Sequence, residues 1–140
     1  MEQIKMLKFT VPGQPAGKAR AKVTKRVSYT PQKTVNYEAH IKKCFRDKYG
    51  EDFIPLKTPV FMYVNMYYKI PMSASLKKKQ LMLDGIIRPT VKPDKSNVLK
   101  AVEDALNTIA YLDDNQIVDG EQHKYYSYRP RVDVFISEVK

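Results

Sequence analysis

The sequence predicts an α+β fold, a single domain over residues 1–140 in which helices pack on a mixed sheet of four or five strands. Three observations predict it. Period-two alternation marks both ends of the chain, with Leu7, Phe9 and Val11 at the start and Val132, Val134 and Ile136 at the close. Between them, two segments place apolar residues at helical spacing, one around Ile41 and one around Val102. A chain of 140 residues with 43% hydrophobic content buries one core and is too short for two ordinary domains.

The first strand ends at the Pro12-Gly13 turn. From Gly13 to Lys22, glycine and proline interrupt regular structure while cations recur, and Lys25-Arg26 continue the run. This stretch reads as a mobile arm or a twisted edge hairpin. From Gln32 to Tyr49, Tyr37, Ile41, Cys44 and Phe45 share one face, with Lys33, Lys42, Lys43 and Arg46 on the others and Gly50 as the stop. Pro59 to Ile70 is rich in Val, Tyr, Phe and Met on both faces, so it predicts a long central strand. Ser73 or Ser75 caps a short helix through Lys77 to Leu83, stopped by Asp84-Gly85.

A second amphipathic helix starts after Pro93 and runs to about Asn107, its stripe formed by Val98, Leu99, Val102, Ala105, Leu106 and Ile109. The spacing of Asn97, Lys100, Asp104 and Asn107 draws one polar line down its other side. The chain then extends through Gln116, Ile117 and Val118, forms a further strand from Gln122 to Tyr128, turns at Arg129-Pro130 and closes on the last strand. No internal repeat or low-complexity segment occurs.

Charge is distributed unevenly. The net formal charge is +10, and residues 1–50 hold 12 Lys and Arg against 3 Asp and Glu. Residues 94–122 hold 2 against 7, an acidic island in a basic chain. A basic surface attracts a polyanion by releasing its counterions, and a divalent cation is the natural intermediary between such an island and phosphate. The single cysteine, Cys44, makes no internal disulfide, which suits a reducing cytoplasm. No signal-peptide run or membrane-spanning stretch is present, so the expected setting is cytoplasmic, with no membrane partner.

Phosphodiester hydrolysis needs a cation that holds the phosphate and activates water, and hard Mg²⁺ takes carboxylate oxygens while keeping several waters. Asp94 before the second helix and Asp113-Asp114 after it are the carboxylates on offer, and Lys100 on the polar line is placed to neutralise charge developing on the phosphate. Each also has a plainer role: Asp94 or Ser96 as an N-cap, Asp113-Asp114-Asn115 as a turn, Lys100 and Asp104 as a surface ion pair. His40 and His123 have no ligand spacing, so a zinc site is not expected.

The string from Lys92 to Asn107, Lys-Pro-Asp-Lys-Ser-Asn-Val-Leu-Lys-Ala-Val-Glu-Asp-Ala-Leu-Asn, followed by Tyr111-Leu112-Asp113-Asp114-Asn115-Gln116-Ile117-Val118, resembles the RusA family of Holliday junction resolvases. Its motifs read Lys-Pro-Asp-x-Asp-Asn-Leu-x-Lys, then Asp-Ala-Leu, then Asp-Asp-x-Gln. Gly13-Gln14-Pro15 with Lys18 and Arg20 is similar to the family's early basic motif. The resemblance implies a homodimer that binds four-way junctions and cuts two strands symmetrically with Mg²⁺, for which Mn²⁺ is a possible substitute. By position it implies that Asp94 and Asp114 are catalytic aspartates holding metal with Asp113 beside them, and that Lys100 is the catalytic lysine. Ser96 stands where the family carries its second aspartate, which removes one negative charge from the ligand set.

On the basic arm, Lys18, Arg20, Lys22, Lys25 and Arg26 are the candidate phosphate contacts. Two other classes compete: a branched-DNA-binding protein with weak or no cleavage, its 10 tyrosines supplying stacking surfaces, and an interaction protein whose basic face docks an acidic partner.

Overall fold

The computed structural model describes residues 4–18, 22–23, 28–29 and 32–139. The element order is β1 (Met6–Pro12), β2 (Lys22–Val23), β3 (Ser28–Tyr29), α1 (Gln32–Tyr49), β4 (Val60–Lys69), α2 (Leu76–Leu83), α3 (Lys95–Leu106), a 3-10 turn (Asp114–Gln116), β5 (Ile117–Ser127) and β6 (Arg131–Glu138). The main sheet has the order β1-β6-β4-β5, and β2 with β3 forms a separate small hairpin. The α+β class and a four-stranded mixed sheet follow from the alternation and helical spacing described above.

Alternation sets the inner face of the sheet. Leu7, Phe9 and Val11 of β1, Met62, Val64, Met66 and Tyr68 of β4, and Val132, Val134 and Ile136 of β6 are all buried. α1 adds Ile41 and Phe45, and α3 adds Val98, Ala101, Val102, Ala105 and Leu106. Each buried Val, Leu, Ile, Met or Phe among them contributes roughly 1.5–3 kcal/mol. Phe45 meets Phe9 and Phe53 edge to face at 5.4 and 5.2 Å, which locks α1 onto the sheet. α1 ends at Gly50, whose φ of 89° suits glycine and whose N–H donates to the Arg46 carbonyl at 2.7 Å.

β4 pairs antiparallel with β6 and parallel with β5, so it is central as its composition requires. A parallel pair demands a long return connection. Here the return runs from Ile70 to Gln116 and contains α2, α3 and both acidic segments, so one topological necessity carries the whole polar stretch across the helix-bearing side. Ser75 caps α2, accepting from the Lys78 N–H at 3.2 Å.

One boundary differs from the sequence reading. The extended run to Val118 and the strand from Gln122 are one continuous strand, β5. Asp119-Gly120-Glu121 has a polar break's composition, but Gly120 permits close approach of the β4 backbone: a Cβ there would lie 2.5 Å from the Met62 carbonyl oxygen. Asp119 and Glu121 simply face outward.

Candidate active site

The polar line predicted on α3 is the spine of the site, and separate segments of chain fasten to it. At its N-terminal end the Lys18 N–H donates to the Asn97 carbonyl at 3.1 Å. Gly17 makes this approach possible, since a Cβ would meet those of Asn97 and Pro93 at 2.9 and 3.0 Å. The Lys18 ammonium reaches Asp104 in a close ion pair and lies 3.7 Å from Glu38 of α1. The hydrogen bond to Asp104 holds the Lys18 pKa above its ordinary value. Lys100 sits 3.7 Å from the other Asp104 oxygen, so Asp104 is shared by two cations.

At the C-terminal end, the Asn107 side chain accepts from the Asp114 N–H at 3.0 Å. The Asp113 side chain accepts from the Asn115 N–H at 3.1 Å and caps the 3-10 turn in a capping box with Gln116. The Gln116 amide is fully used: its oxygen accepts from Leu112 and Asp113 N–H at 2.8 and 2.9 Å, and its nitrogen donates to the Leu56 and Thr58 carbonyls at 2.8 and 3.0 Å. The Asp113-Asp114 turn is thereby bolted both to α3 and to the chain entering β4.

Two buried tyrosines anchor the ends of α3. The Tyr68 hydroxyl donates to the Pro93 carbonyl at 2.5 Å, beside the cis Lys92-Pro93 peptide, and the Tyr111 hydroxyl donates to the Glu103 carbonyl at 2.6 Å. Burial pushes the Tyr68 phenol up to about 12 and raises Tyr111 as well. These two rings are structural and unavailable for stacking on bases.

Asp94 takes the plainer role foreseen for it. It is the N-cap of α3, accepting from the Asn97 N–H at 3.2 Å, while remaining exposed. Ser96 is exposed in the same first helical turn. Lys100 lies six residues along, about 9 Å down the axis at 1.5 Å per residue. Electrostatically, Asp114 faces Asp113, Asp104 and Lys100. The hydrogen bond with Asp113 raises the Asp114 pKa most, partial burial and repulsion by Asp113 and Asp104 add to this, and Lys100 opposes it. Glu103 is raised chiefly by burial, again with Lys100 opposing. Carboxylates that crowd and raise one another are relieved by a cation. Among the described residues, however, no group of three or more His, Cys, Asp or Glu gathers around one point where a metal would sit.

Beside Asp94 opens a cleft of about 640 Å³ between Pro15–Lys18, the first turn of α1 and the start of α3. Lys18, Lys33 and Lys92 line it, and Asp94 is the carboxylate in its wall. No acidic residue stands in the first turn of either helix, and at α3 the Asp94 cap takes the Asn97 N–H. Lys33 and Lys92 were not singled out from sequence. Lys92 lay inside the quoted motif, whereas nothing in the local pattern of α1 tells Lys33 apart from its other lysines. Of the arm cations, Lys18 is placed as described, Lys22 belongs to β2, and Arg20, Lys25 and Arg26 lie outside the described residues.

A carboxylate turn and a lysine held on one helix stripe, beside a lysine-lined cleft, are the equipment of an enzyme acting on nucleic-acid phosphodiesters. The chain belongs to the endodeoxyribonuclease RusA family, whose model matches residues 12–137. It is also 37% identical, over 95% of its own length and 96% of the relative's, to the "Uncharacterized protein YqaN" of Bacillus subtilis strain 168. Membership of this family makes the chain a nuclease by class. No helix among the described residues is long and apolar enough to cross a membrane.

Proposed function

We propose that the protein is a magnesium-dependent endonuclease that resolves four-way DNA junctions, acting as a homodimer that cuts two strands symmetrically. The observation that carries this reading is Asp94, an exposed carboxylate in the wall of a cleft otherwise charged by Lys18, Lys33 and Lys92. A phosphate drawn in by those lysines arrives next to a carboxylate, a juxtaposition that repels unless a cation joins them.

Asp94 caps the start of α3 and Asp114 is tied to Asn107 just past its end, twelve helical residues or about 18 Å away. The two do not close on one ion within a chain; each would hold Mg²⁺ separately, Asp114 with Asp113 beside it. Their hard oxygens suit it, and Mg²⁺ is commonly bound through one or two carboxylates, with waters and substrate phosphate completing its shell. Bound there, it supplies charge neutralisation at the phosphate and an acidified water. This chain's own residues do the rest. Asn107 and Gln116 hold the turn that carries Asp114, and the cap to the Asn97 N–H fixes one Asp94 carboxylate oxygen in the wall of the cleft. Lys100, 57% exposed at its side chain, offsets charge that develops on the phosphate oxygens. Ser96 contributes a neutral oxygen where an aspartate would contribute a charge. The lysines of the cleft, together with Arg20, Lys22, Lys25 and Arg26, hold the phosphate backbone without reading bases.

The test is cleavage and binding of a four-way junction by Asp94→Asn and Asp114→Asn. Both variants should bind the junction as tightly as the wild type or more tightly, and both should lose cleavage. Cleavage at the wild-type rate in either variant overturns the assignment. A branched-DNA binder without catalysis predicts instead that the wild type binds and never cuts, in Mg²⁺ or in Mn²⁺.

A further inference from the structure

The run of residues 88–94 delivers Lys92 and Asp94 to the cleft, yet it belongs to neither a helix nor a strand. Among the described residues, no backbone-to-backbone hydrogen bond ties residues 88–93 to the rest of the chain. Pro89 is the buried residue of the run, and Arg88, Val91, Lys92 and Asp94 are exposed. A segment so placed drifts unless side chains from elsewhere take its carbonyls.

Two side chains do so, and both stand on strands of the sheet. The Lys124 ammonium, from β5, donates to the Val91 carbonyl at 2.7 Å. The Tyr68 hydroxyl, from β4, donates to the Pro93 carbonyl. These two side chains also touch, the ammonium lying 4.7 Å from the centre of the Tyr68 ring. A third contact runs the other way: Arg88 donates from Nε to the Lys124 carbonyl at 2.6 Å and lays its guanidinium 4.1 Å from the centre of the Tyr125 ring. Lys124 is thus clasped to the run by backbone and side chain together.

Its place in the sheet sharpens the point. Lys124 pairs with the core residue Met66, so strand alternation turns it to the helix-bearing face of an edge strand. A lysine that only guards an edge keeps its charge in open water. Here no carboxylate pairs with it among the described residues, and its ammonium meets a carbonyl and a ring instead. Methionine would cover the same apolar ground; only the ammonium reaches Val91.

We propose that Lys124 is a positioning residue for the cleft. From β5 it fixes the Val91 carbonyl, and with Tyr68 on Pro93 it sets where Lys92 and Asp94 present their charges, itself touching neither metal nor DNA. The proposal deepens the nuclease reading above and rests on it for the cleavage outcome, while the placement of Asp94 is measurable in the protein by itself. The Asn97 N–H bonds to the Asp94 side chain and the Val98 N–H to its carbonyl, so both amides report whether the start of α3 is held.

The experiment compares wild type with Lys124→Met, which keeps an apolar stem and drops the ammonium, and Lys124→Arg, which keeps a cationic donor. Amide hydrogen exchange is followed by NMR without DNA, and single-turnover cleavage and binding of a four-way junction are followed in Mg²⁺. Lys124→Met should speed exchange at Asn97 and Val98 by roughly tenfold or more while the amides of β4 and β6 keep wild-type protection. Cleavage at saturating junction should fall by roughly tenfold or more, with affinity and its salt slope within about twofold of wild type. Lys124→Arg should recover most of both losses.

Exchange that quickens evenly across the sheet makes Lys124 a general stabiliser and overturns the proposal, as does exchange at Asn97 left at the wild-type rate. Undiminished cleavage by Lys124→Met, or an arginine variant no better than the methionine one, does the same. A loss that falls on affinity with a flatter salt slope places Lys124 on phosphate and also overturns it. The nuclease reading fails separately: a wild type that never cuts removes it, and exchange at Asn97 and Val98 then decides the brace alone.

Discussion

The Asn107 side-chain oxygen accepts a hydrogen bond from the Asp114 backbone N–H at 3.0 Å, joining the last residue of the α3 polar line to the acidic turn. Asp114 thus owes its position to a residue seven places earlier in sequence. Asn107→Ala leaves that N–H without its acceptor, at a cost of about 1 kcal/mol in stability. Because a misplacement of about 1 Å can cost on the order of 100-fold in rate, junction cleavage should fall by roughly 10- to 100-fold while junction binding persists. Asn107→Asp keeps an acceptor and should lose less. Single-turnover cleavage alongside urea denaturation separates the two effects, and unimpaired cleavage by the alanine variant would remove Asn107 from the site.

Ser96 is exposed in the first turn of α3, next to the Asp94 cap. Ser96→Asp adds a carboxylate where helix amides favour negative charge, so it should raise the melting temperature slightly. It should also raise cleavage in Mg²⁺ by roughly tenfold, the effect of about 1.4 kcal/mol of barrier, and reduce any advantage of Mn²⁺. Equal rates for both proteins in Mg²⁺ would show that the serine costs nothing.

Gly17→Ala drives a Cβ to 2.9 Å from the Asn97 Cβ of α3 and 3.0 Å from the Pro93 Cβ just before it. The loop must lift away, which costs roughly 1–3 kcal/mol as overpacking does, and the Lys18 pairing with Asp104 weakens. Chemical denaturation and junction affinity should fall together. An alanine variant of wild-type stability would contradict the observed closeness.

Glu103 supplies the pH-dependent term. Burial raises its folded pKa above the ordinary 4.5. The protonated form is therefore favoured by folding, and the stability it contributes is fully present below pH 4.5 and lost as pH rises through the raised value. Glu103→Gln should remove this component, leaving a melting temperature at pH 7 that is higher than wild type by roughly 1–3 °C. Thermal scans from pH 4 to 8 check both sign and window. A variant that keeps the same acidic slope would assign that slope elsewhere.

The arm and Lys18 should respond differently to alanine. Replacing Arg20, Lys22, Lys25 and Arg26 should lower junction affinity and flatten its salt dependence, by on the order of 0.9 in the slope of log K against log salt for each phosphate left without its cation. Lys18→Ala removes the cation shared by Asp104 and Glu38, so it should destabilise the protein as well. An unchanged slope in the arm variant would show that the arm does not touch DNA.

Much of this architecture is local in origin and therefore legible in the chain. Alternation in β1 and β6, the 3.6-residue period of α1 and α3 and the glycine after Tyr49 act within a few residues, so they predict elements to within a residue or two. The same holds for Asp94 as a cap, for the polar line of α3 and for the motif that carries the family resemblance. Gly120 shows where local reading stops: its polar neighbours resemble a break, but the Met62 carbonyl on an adjacent strand makes it part of β5. Tertiary structure alone decided that Lys18 serves Asp104, that Gln116 spans to Leu56 and Thr58, and that Lys33 joins Lys92 around a cleft. Each depends on register and packing between segments tens of residues apart, and such contacts are settled when the strands pair and the helices close over them, leaving no periodic mark on the chain.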